Sequence, residues 1–268
     1  MRDRNTVFGG AIPENYDRYL GPTLFEPFAN DIAARLDPER HRHVLEIACG
    51  TGIVTRRLRD RLSAEAELMA TDLNPAMFAF AERKFAAKEN VAWREADAEA
   101  LPFPDASFDA VVCQFGLMFF PDKVQALREA YRVLSPGGVF LFNVWDSFER
   151  NPIGRTAHET IGSFFDHDPP NFYEVPFGFH DADVIRGLLH EAGFQEIEVS
   201  VVAMPCRSRS AAELAIGLVR GNPVATAIQE RLLDVDRVVQ AVEKKIGTSF
   251  GVAPLETTMQ ALVCRAVR

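Results

Sequence analysis

Short apolar runs alternate with amphipathic stretches along the first half of the chain. Five of these runs predict strands, at residues 44–48, 67–71, 91–96, 108–114 and 139–145. Their near-continuous apolar character is typical of strands that are buried on both faces. The segments 53–62, 75–88 and 121–134 predict helices, the second of them capped by Asn74. Strands that alternate with helices of about 10–15 residues indicate βαβ units and a parallel sheet.

The pattern changes after Trp145. Residues 146–180 are rich in phenylalanine, proline and histidine, and their weak periodicity gives no clear element. The later elements are a helix over 181–192, a strand over 195–204, helical sequence over 211–246 interrupted at 221–223, and a strand over 258–267. The sequence therefore predicts seven strands, with one insertion before the sixth strand and another before the seventh.

The composition excludes several classes of protein. The 268 residues contain no apolar run long enough to span a membrane, and the polar start, residues 1–5, does not resemble a signal peptide. The scattered cysteines, Cys49, Cys113, Cys206 and Cys264, form no C-x-x-C pair and have no histidine at ligand spacing. This pattern argues against a metal site or disulfides and predicts a cytoplasmic protein. A net charge of −9 disfavours nucleic acid as a partner.

A glycine-rich turn, Gly50-Thr51-Gly52, follows the first predicted strand. The two glycines carry no Cβ, so a ligand can lie against the backbone at this strand-to-helix turn. Open α/β sheets bind their ligands at the carboxyl ends of the strands, where this turn is expected. A glycine pair alone fits a tight turn without a ligand equally well, so the neighbouring polar residues matter.

Three acidic residues lie at or near the ends of the first three strands. Glu46 precedes the glycine turn, where it could orient the turn or hold an amino group. Asp72 ends the second strand, where a carboxylate can accept both hydroxyl hydrogens of a ribose. Asp97 follows the third strand, where it can meet an adenine amine. Any one of them alone would be interpreted as a solvated acid at a strand end. Together, at the ends of successive strands, they indicate a nucleoside pocket.

Two nucleoside cofactors compete for this pocket. A dinucleotide fingerprint needs a glycine or another small residue at its third conserved position, and Thr55 stands there. An acid at Glu46 also suits a cationic amino-acid tail better than a pyrophosphate. Both observations favour S-adenosylmethionine over a nicotinamide cofactor. The alternatives are a nicotinamide-dependent oxidoreductase and a non-catalytic subunit that binds S-adenosylmethionine.

Four segments carry a resemblance to a known family: Val44–Gly52, Asp97–Asp109, Gln114–Gly116 and Arg132–Gly138. Together they resemble the class I S-adenosylmethionine-dependent methyltransferases, and within them the small-molecule enzymes typified by the ubiquinone/menaquinone C-methyltransferases. The resemblance is close over residues 12–145 and looser over 180–204.

The family resemblance implies a Rossmann-like α/β fold with a seven-stranded, mostly parallel sheet and helices on both faces. We expect a single domain over residues 1–268, with the cofactor-binding core at 12–145. The insertions at 146–180 and 205–250 are expected to form a substrate lid. A homodimer is compatible with this fold.

By position in the family, twelve residues are predicted to bind the cofactor. They are Tyr16, Glu46, Gly50, Thr51, Gly52, Asp72, Leu73, Met77, Asp97, Ala98, Gln114 and Phe115. Gly50 and Gly52 would line the methionine part, and Gln114 and Phe115 would lie beside it and the methyl group. Tyr16 would cover the cofactor from a leading helix, although it could equally be a packing residue.

The adenosine part is assigned in the same way. Asp72 would bind the ribose hydroxyls, and Leu73 and Met77 would pack on the adenine. Asp97 and the backbone of Ala98 would read the edge of the base.

The phenylalanine content suggests the substrate. The chain has 21 phenylalanines against four tyrosines and two tryptophans, and six of them fall between Phe148 and Phe179. Such a cluster would form a satellite core or an apolar lining, and it predicts a small apolar or aromatic methyl acceptor. If the reaction uses a general base, His158, His167 or His180 would supply it, but no residue is assigned as catalytic.

The segment Asp168–Phe172 resembles the Asp-Pro-Pro-aromatic motif of nucleic-acid amino-methylases. In that family the motif follows the fourth strand, whereas here it comes about fifty residues later. We therefore predict that nucleic acid is not the substrate.

Overall fold

The structure is a computed structural model that describes residues 8–268, so the N-terminal residues used in the signal-peptide argument lie outside it. Its seven strands are β1 (His43–Ile47), β2 (Glu67–Asp72), β3 (Val91–Glu95), β4 (Phe108–Gln114), β5 (Leu134–Trp145), β6 (Glu196–Ser208) and β7 (Leu255–Val267). They form one sheet in the order β3-β2-β1-β4-β5-β7-β6. The strands from β3 to β5 pair in parallel, and β5 pairs with β7 in the antiparallel sense. The predicted fold class is confirmed.

Eleven α-helices accompany the described sheet. They are α1 (Ile12–Asn15), α2 (Glu26–Ala34), α3 (Ile53–Arg61), α4 (Pro75–Glu82), α5 (Lys123–Val133), α6 (Pro152–Gly162), α7 (Glu174–Gly178), α8 (Ala182–Ala192), α9 (Ala211–Arg220), α10 (Val224–Glu230) and α11 (Val235–Phe250). A π-helix, Tyr16–Phe25, joins α1 to α2. No helix within residues 8–268 is long and apolar enough to cross a lipid bilayer.

The central strands are apolar because helices cover them. Val44 on β1, Val112 on β4 and Leu141 on β5 are fully buried and belong to one cluster with Ile32 of α2 and Leu58 of α3. Burial of such side chains contributes about 1.5–3 kcal/mol each. This core keeps the carboxyl ends of neighbouring strands at one edge of the sheet.

Local signals locate the start of α4 correctly but misplace two other boundaries. The Asn74 side chain accepts a hydrogen bond from the Ala76 N–H, as expected for the cap of α4, although the helix ends at Glu82 rather than near residue 88. Strand β5 begins at Leu134, earlier than expected. Its pairing with β4 shifts register between Phe108 and Ala110, so the first residues form an irregular strand end.

The first insertion contains helices that the periodicity does not reveal. The buried face of α6 includes Gly154 and Thr156 beside Ile153, Ala157 and Ile161. Small and polar residues on a buried face weaken the hydrophobic pattern, so the sequence signal is lost.

Contacts divide the described chain into two compact units. The sheet unit comprises Phe28–Trp145, His180–Val202 and Ala261–Arg268. The helical unit comprises residues 8–27, Asp146–Phe179 and Ala203–Gln260. The single-domain assignment and the lid inferred from the sequence stay predictions.

Candidate active site

The glycine turn after β1 has a backbone that few residues other than glycine adopt. Gly50 and Gly52 have φ angles of 56° and 79°, and Ala48 just before them has 56°. A Cβ on Gly52 would lie 3.1 Å from the Cβ of Ala81 on α4. The turn is therefore closely packed against α4, and a side chain on Gly52 would not fit there.

Asp72 braces the glycine turn from the end of β2. Its Oδ2 accepts a hydrogen bond from the Gly50 N–H at 2.8 Å, and its Oδ1 accepts one from the Asn74 N–H at 2.7 Å. Burial raises the pKa of the Asp72 carboxyl, and the two N–H donors oppose that shift. A carboxylate has about four acceptor positions, so both oxygens can still accept hydrogens from ribose hydroxyls.

Glu46 is almost completely buried beneath the glycine turn, and its Oε2 has no hydrogen-bond partner among the described residues. Burial is the largest cause that raises the pKa of Glu46 to about 8; hydrogen bonds from Thr55 oppose the shift and the nearby charge of Asp72 adds to it. The hydroxyl group of Thr51 also lacks a partner within the described chain. Buried polar atoms are almost always paired, so Glu46 Oε2 and the Thr51 hydroxyl indicate a polar ligand at the turn. The amino group of S-adenosylmethionine fits beside the carboxyl.

The predicted adenine-binding residues follow β2 and β3. The Ala96 N–H donates to the Asp72 carbonyl oxygen at 3.1 Å, which brings the segment after β3 to the end of β2. Asp97 is exposed there, and its Oδ1 accepts from the Glu99 N–H at 2.9 Å. Leu73 is 41% exposed, which leaves an apolar surface beside these polar groups. Met77 on α4 lies against the glycine turn, with its Cε 3.6 Å from where a Gly50 Cβ would be.

The third part of the site is the turn after β4. Phe115 has a φ of 52°, which is strained for a bulky residue, and its N–H donates to both the carbonyl oxygen and the Oδ1 of Asn143. The Phe115 ring stacks on Trp145 at 3.9 Å. Asn143 is not among the residues predicted from the sequence, although a lone amide in an apolar strand is a recognisable signal.

The turns after β1 and β4 adjoin, because a Cβ on Gly116 would lie 2.7 Å from the Ala48 Cβ. Eleven of the twelve predicted cofactor-binding residues lie in the sheet unit. Ten of them are at the carboxyl ends of β1, β2, β3 and β4 or in the segments that follow directly, and Met77 is in the first turn of α4. Tyr16 belongs to the helical unit, where its ring stacks on Phe25 at 4.6 Å. Its role as a cofactor cover stays a prediction.

Helix α5 fixes the loop that follows Asp97. Arg132 donates to the carbonyl oxygens of Leu101 and Phe103 at 2.9 and 2.8 Å and to the carboxylate of Glu129. Glu129 in turn accepts from the Leu101 N–H at 2.7 Å. Hydrogen bonding to Glu129 and Asp105 raises the pKa of Arg132, so this guanidinium is permanently charged. Sequence analysis did not identify this clamp.

The three histidines that were not considered as bases have local partners. Nδ1 of His41 accepts from the Asp37 N–H at 3.1 Å, and His43 lies 3.3 Å from Glu67. His190 Nδ1 lies 3.1 Å from the Phe194 carbonyl oxygen. Of the three histidines considered as bases, His158 stacks on Phe148 in the helical unit.

Comparison with known proteins identifies the family. A family model described as a methyltransferase domain matches residues 45–142, which run from β1 into β5. The ubiquinone/menaquinone biosynthesis C-methyltransferase of Pectobacterium carotovorum is 32% identical over 177 residues, or 59% of this chain and 68% of that protein. The chain belongs to the class I S-adenosylmethionine-dependent methyltransferases. It is of the small-molecule type.

Further relatives agree with this membership. The demethylmenaquinone methyltransferase of Staphylococcus epidermidis is 29% identical over 209 residues, or 73% of this chain and 86% of that protein. The cofactor of this methyltransferase is therefore S-adenosylmethionine, and the nicotinamide-dependent and non-catalytic alternatives are set aside.

Two solved structures share the fold. A methyltransferase from Thermotoga maritima, described as a possible histamine N-methyltransferase, matches with a TM-score of 0.56 and 20% identity over 96% of each chain. Phosphoethanolamine N-methyltransferase 2 of Haemonchus contortus, in complex with phosphomonomethylethanolamine and S-adenosylhomocysteine, has a TM-score of 0.60 at 18% identity. The match covers 96% of this chain and 56% of the Haemonchus contortus chain.

Proposed function

We propose that this methyltransferase transfers the methyl group of S-adenosylmethionine to a small, largely apolar or aromatic acceptor. One observation carries the acceptor class, namely a connected series of aromatic rings in the helical unit. We call this series the aromatic chain, and it consists of Phe8, Phe148, Phe172, Tyr173 and Phe177.

Successive rings of the aromatic chain are in contact. The centroids of Phe148 and Phe177 are 4.9 Å apart, and those of Phe172 and Tyr173 are 5.2 Å apart. Tyr173 also stacks on Phe177, and Phe8 meets Phe172 edge to face. Aromatic surfaces of this kind bind planar apolar molecules through dispersion and the hydrophobic effect.

The one polar atom of the aromatic chain is already paired. The Tyr173 hydroxyl donates to the Leu218 carbonyl oxygen at 2.6 Å and accepts from Asn222 Nδ2 at 3.4 Å. Burial raises the pKa of Tyr173, so this hydroxyl remains neutral. The aromatic chain therefore carries no ionised group of its own, which favours an uncharged acceptor. The relatives named for ubiquinone, menaquinone and demethylmenaquinone are consistent with that chemistry.

The cofactor-binding roles are part of the same proposal. Bound S-adenosylmethionine supplies an electrophilic methyl group on a sulfonium centre. The glycine turn and Glu46 would hold its methionine part, Asp72 its ribose, and the segment at Asp97 its adenine. Gln114 and Phe115 would flank the methyl group. The protein's contribution is then to orient the reactants and exclude water.

The test is a screen for acceptors that reads the release of S-adenosylhomocysteine. We expect turnover with members of a panel of uncharged quinols, phenols and other small aromatic molecules, and none with RNA or with cationic peptides. Asp72→Ala should abolish turnover, whereas Asp183→Ala, which removes an exposed acid paired only with Arg186 on α8, should not. Methylation confined to the charged polymers would refute the proposal.

A further inference from the structure

Asn143 is an unusual residue for its position in the sheet. It lies in the run Val139–Trp145 of β5, in which every side chain is buried and the others are apolar. A buried carboxamide destabilises the fold unless its hydrogen bonds are made. The contacts of Asn143 therefore indicate why an amide is present there.

The carboxamide oxygen of Asn143 supports a strained backbone. Its Oδ1 accepts from the Phe115 N–H at 3.0 Å, and the Asn143 carbonyl oxygen accepts from the same N–H at 3.1 Å. The φ of 52° at Phe115 is a left-handed conformation that bulky residues rarely adopt. The added acceptor stabilises this conformation, which an apolar residue at 143 would not do.

The carboxamide nitrogen of Asn143 reaches the neighbouring side chain. Nδ2 donates to Gln114 Oε1 at 3.4 Å, which sets the direction of the Gln114 amide. Asn143 therefore contacts both residues predicted to lie beside the methyl group, one through its backbone and one through its side chain.

The surroundings leave this turn little freedom to move. A Cβ on Gly116 would lie 2.7 Å from the Ala48 Cβ and 2.8 Å from the Cys113 Sγ. The Phe115 ring lies flat on Trp145, with ring planes 9° apart. Asn143 thus completes a turn that is already packed against the glycine turn on one side and Trp145 on another.

We propose that Asn143 is a positioning residue of this methyltransferase. Its carboxamide holds Gln114 and Phe115 in the conformation that receives the methionine end and methyl group of the cofactor. The inference rests on the proposed cofactor-binding roles of Gln114 and Phe115.

Two substitutions separate the effect of the carboxamide's hydrogen bonds from the effect of its volume. Asn143→Leu has a similar size and removes both side-chain hydrogen bonds. Asn143→Asp keeps an acceptor for the Phe115 N–H and, when the introduced carboxyl is protonated, a donor for Gln114. Both are made in a Trp93→Phe background, because Trp93 and Trp145 are the chain's two tryptophans and Trp145 then becomes the sole emitter.

We expect Asn143→Leu to weaken binding of S-adenosylhomocysteine about tenfold or more. It should also change Trp145 emission well below the unfolding temperature, because the Phe115 ring leaves its stacked position. Asn143→Asp should bind nearly as well as the parent at low pH and lose affinity relative to the parent as the pH rises. Dividing the affinity of Asn143→Asp by that of the parent at each pH cancels the effect of Glu46 titration, because both proteins contain Glu46.

Leu141→Ala is the matched control, since Leu141 is a fully buried side chain two residues earlier on β5. It should lower thermal stability through a cavity while keeping affinity and Trp145 emission. Unchanged affinity and emission in Asn143→Leu would overturn the inference, as would an equal loss in Leu141→Ala. If Gln114→Ala and Phe115→Leu also bind like the parent, the proposed cofactor-binding roles of those residues fail as well. If they weaken binding while Asn143→Leu does not, only the role of Asn143 fails.

Discussion

At the scale of single residues, Glu46 is buried and ionisable, and no positively charged group is among the causes that shift its pKa. Burial is the largest cause that raises the pKa of its carboxyl from 4.5 to about 8. Because the folded state holds this proton more tightly than the unfolded state, the protonated carboxyl favours folding. That contribution is complete below the ordinary pKa of 4.5 and is lost as the pH rises through about 8.

Glu46→Gln should therefore change how stability depends on pH. Without ligand, the free energy of unfolding of the unsubstituted protein should fall relative to that of Glu46→Gln as the pH rises from 4.5 to 8. The maximum slope is about 1.4 kcal/mol per pH unit. Urea unfolding at a series of pH values measures the difference, and parallel curves for the two proteins would contradict the shifted pKa.

Saturating S-adenosylhomocysteine provides the control for Glu46. The positively charged amino group placed beside the carboxyl should favour its ionised form, so the pH-dependent difference between the two proteins should shrink. A difference that is unaffected by the ligand would mean that the amino group is held elsewhere.

At the scale of elements, the strands and their alternation with helices follow from patterns that are local in the sequence, whereas the order of the strands in the sheet comes from the structure. Buried parallel strands such as β4 are continuous apolar runs, and Asn74 with Pro75 marks the start of α4. The acids at the strand ends identify the cofactor because parallel topology collects them at one edge. Most of the fold and the candidate cofactor site could therefore be predicted without coordinates.

The supporting residues could not be predicted because their partners are distant in the chain. Asn143 contacts a backbone N–H 28 residues away, and Arg132 contacts a carbonyl oxygen 31 residues away. No periodicity or capping rule links such positions. The length of α4 and the helices of the first insertion were missed for a different reason, since their boundaries depend on packing rather than on local signals.

Arg132 on α5 gives a prediction about this element. The guanidinium clamps the Leu101 and Phe103 carbonyl oxygens, so it fixes the loop that continues from Asp97. Arg132→Lys keeps the charge but cannot make these directed contacts. We expect it to weaken binding of S-adenosylhomocysteine more than that of S-inosylhomocysteine, which lacks the adenine amine. Titration calorimetry with the two ligands measures this change in discrimination.

Arg128→Lys is the control on the same helix, because Arg128 is exposed and pairs with Glu191. It should leave both affinities and their ratio unchanged. If Arg132→Lys lowers both affinities equally, the clamp contributes to stability and does not position the segment that reads the adenine.

At the scale of the whole molecule, the two units carry different parts of the proposed chemistry. The sheet unit holds eleven of the twelve predicted cofactor-binding residues, and the helical unit holds the aromatic chain. Substitutions in the sheet unit should therefore change the Kd of S-adenosylhomocysteine, and substitutions in the helical unit should change the acceptor's KM. If substitutions in either unit changed both constants equally, cofactor and acceptor would depend on the same residues.

Phe148→Leu and Asp72→Asn test this division once an acceptor has been found. Phe148 is half-buried, contacts Phe177 at a tilt and stacks on His158, so a smaller aliphatic side chain removes aromatic surface without emptying a core. We expect it to raise the acceptor's KM about tenfold while the Kd of S-adenosylhomocysteine stays within about twofold. Asp72→Asn should instead raise the Kd of S-adenosylhomocysteine and leave the acceptor's KM nearly unchanged, because an amide accepts the ribose hydroxyl hydrogens less well than a carboxylate does. Equal changes in both constants for Phe148→Leu would place the acceptor outside the aromatic chain.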